Sequence, residues 1–231
     1  MNKLTIYTIP VSLYCAKLRI LLRHKRLDWQ ELAPPGGYGS DEYAQIVPSG
    51  SLPAMIDGDL LLSDSEAIAE YLNEKYPHPP LLPVTIVSRA KIRELSRYHD
   101  TRLEPEIRAL FAHIAPDKRD CDFVSNQVGK ITIRLKELSQ LLAISVAGGT
   151  KNFDEQLSLG DCGFAISFVW IEQLSQAMGC KVEWPERVLE YKNHIHRFAA
   201  VSDELADYQP KLVAWLDAAT NSNNIASEST S

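Results

Sequence analysis

A chain of 231 residues that is 45% hydrophobic and 23% charged has ample apolar material for a substantial core, in one large domain or two small ones. Its net charge of −6, without a long Lys/Arg run to follow a phosphate backbone, argues against nucleic acid as a partner. Four scattered cysteines, Cys15, Cys121, Cys162 and Cys180, form no C-x-x-C or Cys/His cluster, so no metal is expected, and no apolar run approaches membrane-spanning length.

The first residues pass directly into strand-like sequence, which suggests a reducing cytoplasm. Leu4 to Ile9 is β-branched and aromatic, with apolar groups of both parities, as in a strand covered on both faces; Pro10 ends it. Cys15, Leu18, Leu21 and Leu22 make the apolar stripe of a helix from about Leu13 to Lys25, with Lys17, Arg19, Arg23 and Lys25 mostly off the stripe. Ser12 stands at that helix's start, a favoured N-cap position. Leu27 to Leu32 reads as a second strand, Pro34 to Gly37 as a loop, and Asp41 to Ile46 as a short helix.

Next comes Pro48-Ser49-Gly50-Ser51-Leu52-Pro53-Ala54, a loop ending in proline. Asp57-Gly58 between Ala54-Met55-Ile56 and Leu60-Leu61-Leu62 predicts a hairpin over 54–62 with a type I′ turn. Ser63 and Glu66 have capping-box spacing, and Ala67, Ile68, Tyr71, Leu72 and Tyr76 continue at helical spacing from a start near Asp64 or Ser65. Unpaired amides at that start favour a carboxylate ligand, although capping alone would explain the motif. Pro77-His78-Pro79-Pro80-Leu81-Leu82-Pro83 can continue neither helix nor central strand.

All later segments read as helix: 88–113 interrupted by Pro105, 123–142 before Gly148-Gly149, 158–178, 185–198, and 202–219 with Pro210 kinking or dividing it. Ser158-Leu159-Gly160-Asp161 is a second capping box, in which Ser158 caps the Asp161 amide and Asp161 reaches back, and Phe164 to Ile171 is apolar nearly all round. The expected layout is an α/β domain over 1–77, a linker over 78–87, an all-α domain over 88–220 and a disordered tail over 221–231.

Leu52-Pro53 together with Asp64-Ser65-Glu66-Ala67-Ile68 resembles the glutathione-binding region of the cytosolic glutathione transferases, and Leu157 to Cys162 resembles the capping motif of their helical domain. The resemblance covers about residues 3 to 220 and implies a thioredoxin-like N-terminal domain followed by an all-α domain, with glutathione as co-substrate. Ser12-Leu13-Tyr14-Cys15-Ala16-Lys17-Leu18-Arg19-Ile20 looks like the first-helix start of serine-type and cysteine-type members, which implies that Ser12 donates to the glutathione thiolate. Tyr7 is the alternative, since tyrosine-type members use a tyrosine late in the first strand, but it stands one residue out of register.

By the same resemblance, the Leu52 main chain pairs with the cysteinyl part of glutathione beside a cis Pro53, Ser65 and the helix-start amides take the γ-glutamyl carboxylate, and Asp64 takes its ammonium. Ser51 stands where much of the family has a lysine for the glycyl carboxylate, and Val47 where asparagine is common, so the glycyl anchor is unassigned. Tyr14, Tyr98, His99 and Arg102 are candidate liners of a pocket for a hydrophobic electrophile between the domains. The resemblance further implies a homodimer and a transferase in detoxification, with a glutathione-dependent isomerase or reductive dehalogenase as the enzymatic alternative. A transferase-like binding or regulatory module is the alternative outside enzymes.

Overall fold

The computed structural model describes residues 3–147 and 156–221. Its first half is a mixed four-stranded sheet of order β2-β1-β3-β4: β1 (Leu4–Tyr7), β2 (Trp29–Leu32), β3 (Ala54–Asp57) and β4 (Leu60–Leu62). β1 runs parallel to β2 and antiparallel to β3, with Tyr7 opposite both Leu32 and Ala54. Helices α1 (Leu13–His24), α2 (Asp41–Ile46) and α3 (Ser65–Lys75) complete the thioredoxin-like domain. The two-parity pattern of β1 has a direct cause. Leu4 and Ile6 enter the main core, whereas Tyr7 joins Tyr43, Val47 and Ala54 in a second small cluster.

The helical half comprises α4 (Ile86–Tyr98), α5 (Glu104–Arg108), α6 (Cys121–Ala147), α7 (Asp161–Met178), α8 (Glu186–Ile195) and α9 (Ala199–Asn221). α7 is its centre: every residue from Asp161 to Ile171 is buried. Between α4 and α5 the chain takes a π turn over His99–Leu103. Pro105 has no amide proton to give the Thr101 carbonyl, which favours a widened turn there over a regular α-helix. Gly163 is required where α7 crosses this turn, because a Cβ there would lie 2.5 Å from the His99 ring.

Several expectations change at the element ends. Asp57 pairs with Leu60, so the hairpin's central residues are Gly58 and Asp59. Among the described residues only Gly58 of these two has positive φ, +63°, which fits a Gly-X turn and not type I′. α3 is capped by Asp64, whose Oδ1 accepts from the amides of Glu66 and Ala67 at 3.0 and 2.9 Å. The Ser63–Glu66 capping box is therefore not made, and Glu66 turns to Lys17 and Ser96.

In the second box Asp161 does reach back, to the Ser158 amide and hydroxyl, both at 2.7 Å, but its own amide goes to the Ser158 carbonyl and the helix begins at Asp161. α9 starts at Ala199, before Ser202, and runs undivided through Pro210, taking in Asn221 from the expected tail. Residues 222–231 of that tail, and the expected stop at Gly148-Gly149, lie outside the described residues.

The largest departure concerns α1. Lys17, Arg19 and Lys25, off the apolar stripe, are buried at 2%, 8% and 4% exposure. α1 lies between the sheet domain and helices α7 and α9, so its charged face is as enclosed as its apolar one. Acidic partners supplied by the other elements make this tolerable. Lys17 Nζ meets Glu66 at 2.8 Å and Asp100 at 2.9 Å, and Arg19 Nε meets Glu204 at 2.6 Å. Lys25 Nζ donates to the carbonyls of Tyr76 and Pro79, tying α1 to the proline-rich connection.

Candidate active site

Ser12 is the N-cap of α1, with extended backbone (φ −67°, ψ 124°), and its Oγ accepts from the Cys15 amide at 3.3 Å. Capping and thiolate donation are compatible in one serine. A hydroxyl carries one proton and two lone pairs, so accepting from the cap amide leaves the proton to be given elsewhere. Cys15 itself is fully buried, and burial pushes its thiol up despite the Ser12 hydroxyl beside it, which makes it a core thiol.

Ser12 opens on a cleft of about 750 Å³. One wall is the β1–α1 connection with Ile9, Val11 and Ser12; another is the loop residues Ser51 and Leu52. The Leu52–Pro53 peptide is cis, and Leu52 lies two residues before β3, outside the strand pairing. The helical half supplies the rest. Phe111 stacks on Trp170 with ring centres 4.4 Å apart, and Trp215 meets Trp170 edge-on at 5.8 Å. Arg108 closes this wall, its guanidinium 5.5 Å from the Tyr14 ring centre and 5.8 Å from that of Phe111. The cleft is thus polar at the Ser12–Ser51 end and aromatic at the other.

The candidate residues divide by place. Ser12, Leu52 and Tyr14 line this cleft. Tyr14 gives its hydroxyl to Glu104 Oε2 at 3.1 Å; burial, the charges of Glu104 and Asp100 and that hydrogen bond all push its ionisation up, so it remains a neutral phenol. Pro53 is buried just behind Leu52. Asp64 and Ser65 are not cleft liners, but the loop joins their helix start directly, since Ser51 Oγ donates to the Ser63 carbonyl at 2.5 Å. Asp64 is exposed there, with Oδ1 taken up in capping. Ser65 is buried at 8% exposure.

Tyr7 is turned away from the cleft. Its ring packs edge-on against Tyr43 at 5.4 Å in the second cluster, on the other face of β1 from Ile6, as its register implied. Three residues expected to line the second-substrate pocket sit elsewhere. Tyr98 donates to the Arg134 carbonyl and Glu137 on α6, Arg102 is exposed outside the cleft, and His99 is fully buried between Asp100 and Ser167, each 2.7 Å from a ring nitrogen. That expectation rests on family resemblance alone, and the π turn over His99–Leu103 redirects the chain between α4 and α5.

Sequence reasoning also missed the buried network behind the site. Lys17 joins Glu66 of α3 to Asp100 after α4, and Asp100 also binds His99. Burial pushes the Asp100 carboxyl up, but the His99 hydrogen bond and Lys17 charge outweigh it and hold it at about 2. Lys17 ends above its usual range, because the two carboxylates overcome its desolvation. No sequence spacing links these residues; the only advance signal was an unusual number of basic residues on one short helix. Among the described residues no cluster of three or more His, Cys, Asp or Glu side chains could hold a metal ion.

Comparison with known proteins gives the class. Residues 6–80 match the family model for the glutathione S-transferase N-terminal domain. The chain is 31% identical over 161 residues to glutathione S-transferase Z2 of Arabidopsis thaliana, covering 66% of this chain and 70% of the relative. It is also 37% identical over 92 residues to the stringent starvation protein A homolog of Pasteurella multocida; there the match spans 40% of this chain and only 43% of the relative. In structure it resembles the Tau class glutathione S-transferase of mango, Mangifera indica, with a TM-score of 0.77 at 18% identity over 94% of this chain and 99% of that one. The chain belongs to the cytosolic glutathione transferase superfamily.

Proposed function

We propose that this protein is a glutathione S-transferase in which Ser12 stabilises the glutathione thiolate for attack on a hydrophobic electrophile held against Phe111, Trp170 and Trp215. The observation carrying this reading is the single cleft that has the Ser12 hydroxyl and the Leu52 main chain at one end and an aromatic wall at the other. A free thiol of pKa ~8.5 is about 3% ionised at pH 7, and bringing it to about 6.5 takes roughly 2.7 kcal/mol of preferential thiolate stabilisation. A hydrogen bond to a charged group supplies about 1.5–3 kcal/mol and a helix N-terminus about 0.3–1 kcal/mol, so one hydroxyl at the start of α1 suffices.

In this reading Leu52 pairs with the cysteinyl main chain beside cis Pro53, and Asp64 and Ser65 hold the γ-glutamyl end at the start of α3. The sulfur then sits between Ser12 and the aromatic wall, where its lone pair forms the new bond as the electrophile's leaving group or π electrons depart. Tyr14, neutral and bound to Glu104, shapes the pocket without exchanging protons. A product-resolved assay with glutathione and a panel of aryl halides, epoxides and cis-enoic acids tests the reading. Conjugate is the expected product. Isomer or dehalogenated product would move the assignment to the alternative enzymes, and neither turnover nor glutathione binding would leave a binding or regulatory module, the reading that the starvation-protein relative keeps in view. We place the protein in the cytoplasm as a homodimer; sedimentation at micromolar concentration giving the mass of one 25.9 kDa chain would reject the dimer.

A further inference from the structure

The segment carrying Ser12 is held from the far end of the chain. Tyr208 of α9 donates its hydroxyl to the Val11 carbonyl at 2.8 Å, immediately before Ser12, and the Trp170 indole donates to the same hydroxyl at 2.7 Å. The direction of both bonds is fixed, since an indole N–H only donates and a carbonyl only accepts. Tyr208 and Trp170 are each 1% exposed. One turn earlier on α9, Glu204 holds Arg19, whose Nη2 lies 3.4 Å from the Pro10 carbonyl. Two α9 residues four apart therefore grip successive carbonyls of the β1–α1 connection, one directly and one through Arg19. Trp170 belongs to the aromatic wall of the cleft as well, so one hydroxyl joins that wall to the backbone beside Ser12.

We infer that Tyr208 is a positioning residue for Ser12: its hydroxyl fixes the Val11–Ser12 peptide so that the serine proton is aimed into the cleft and not merely retained at the helix cap. The inference rests on the proposed role of Ser12 in stabilising the thiolate. Leu52, Asp64 and Ser65 are carried by other elements, so loss of the Tyr208 hydroxyl should disturb ionisation of the thiol more than binding of the tripeptide. A packing role alone would lower stability and leave ionisation untouched.

Tyr208→Phe removes the hydroxyl and keeps the ring. The pH profile of kcat, which reports the bound thiol, should move up by about 0.5–1 unit, leaving roughly 1.5- to threefold less thiolate at neutral pH from a starting pKa of about 6.5, with KM for glutathione changed less than twofold. Leu212→Ala is the control on the same helix, a buried residue whose loss destabilises α9 without removing a hydrogen bond to the β1–α1 connection. If Tyr208→Phe leaves the profile in place, or if Leu212→Ala at a matched loss of Tm moves it equally, the inference is overturned.

Native-state hydrogen exchange on the unaltered protein reads the same link without glutathione and without relying on either variant to fold. Residues 9–16 and 200–213 should open as one unit with the same denaturant dependence, and opening of 9–16 while α9 stays closed would overturn the link. Absence of glutathione binding by the unaltered protein would reject the proposed function, with the exchange result still deciding the link on its own.

Discussion

The two ends of the cleft are built in opposite ways. The Ser12 end uses main-chain groups and small hydroxyls at the start of α1 and in the loop before β3, with the start of α3 tied behind that loop, and these converge because the β1–α1, α2–β3 and β4–α3 junctions lie at one end of a small sheet. The aromatic end uses large side chains from α7, α9 and the turn after α5, brought together by helix packing over separations of up to about a hundred residues. Polar ligand recognition is thus encoded locally, where a cap or a turn restricts which residue types fit, whereas the apolar pocket is encoded only in how the helices pack. A local motif can be read from a sequence, and a packing arrangement cannot.

The largest effect should come from the buried network behind the cleft, where Lys17 links Glu66 of α3 to Asp100 beside Tyr14. Lys17→Met takes away the ammonium that bridges two largely buried carboxylates, leaving Asp100 only the more distant Arg97 at 3.4 Å and its His99 hydrogen bond, and breaking a buried pair from one side costs about 3–5 kcal/mol. Thermal unfolding should fall steeply. The double variant Lys17→Met with Asp100→Asn should recover part of that loss, since it removes one of the stranded charges. A Lys17→Met protein as stable as wild type would mean that these ion pairs add nothing to the packing around them.

How far the sequence could be read follows the same division. Strands β1, β3 and β4 were legible because a β-branched run ended by Pro10 and an Asp-Gly pair between two apolar runs are local signals, although the turn itself centres on Gly58 and Asp59. Ser12 and Leu52-Pro53 were legible because helix starts and prolines constrain their neighbours. Arg108, Phe111, Trp170 and Trp215 carry no such constraint: each is an ordinary residue of a helix or turn until the fold sets them side by side. The burial of Lys17 and Arg19 was not legible for a related reason, because a helical wheel divides apolar from polar and says nothing of a second domain arriving on the polar side. Tyr98, His99 and Arg102, expected in the cleft by resemblance alone, lie elsewhere because Pro105, three residues beyond Arg102, favours the widened turn that carries His99 and Arg102.

The next effect sharpens the Ser12 end alone. Ser12→Ala removes a charged hydrogen bond of about 1.5–3 kcal/mol, so the bound thiol should titrate about one to two units higher and turnover at neutral pH should fall roughly three- to twenty-fivefold from a starting pKa of about 6.5. It also removes the cap bond to Cys15, at a cost of about 1 kcal/mol in stability. Titrating the thiolate absorbance of the glutathione complex separates the two losses, since only the first moves the titration. Tyr7→Phe should leave it in place, because Tyr7 packs against Tyr43 away from the cleft. A shift confined to Tyr7→Phe would put the thiol on the wrong residue.

The smallest effect tests whether recognition and folding share one side chain. Asp64 caps α3 through Oδ1, accepting from two amides, while its proposed task is to meet the ammonium of the γ-glutamyl group. A carboxylate has lone pairs enough on two oxygens for both. Asp64→Ala should therefore cost about 1 kcal/mol of stability through the lost cap and weaken glutathione binding by roughly ten- to a hundredfold, corresponding to a charge-assisted contact of about 1.5–3 kcal/mol. Asp64→Ser keeps a capping oxygen and drops the charge. Its stability should stay within a few tenths of a kcal/mol of wild type, because serine and aspartate are comparable N-caps, while its affinity should match that of Asp64→Ala. Calorimetry on the two variants decides the point. If serine restores binding as well as stability, Asp64 acts on glutathione only by holding the helix start in place, and the ammonium is met by another group.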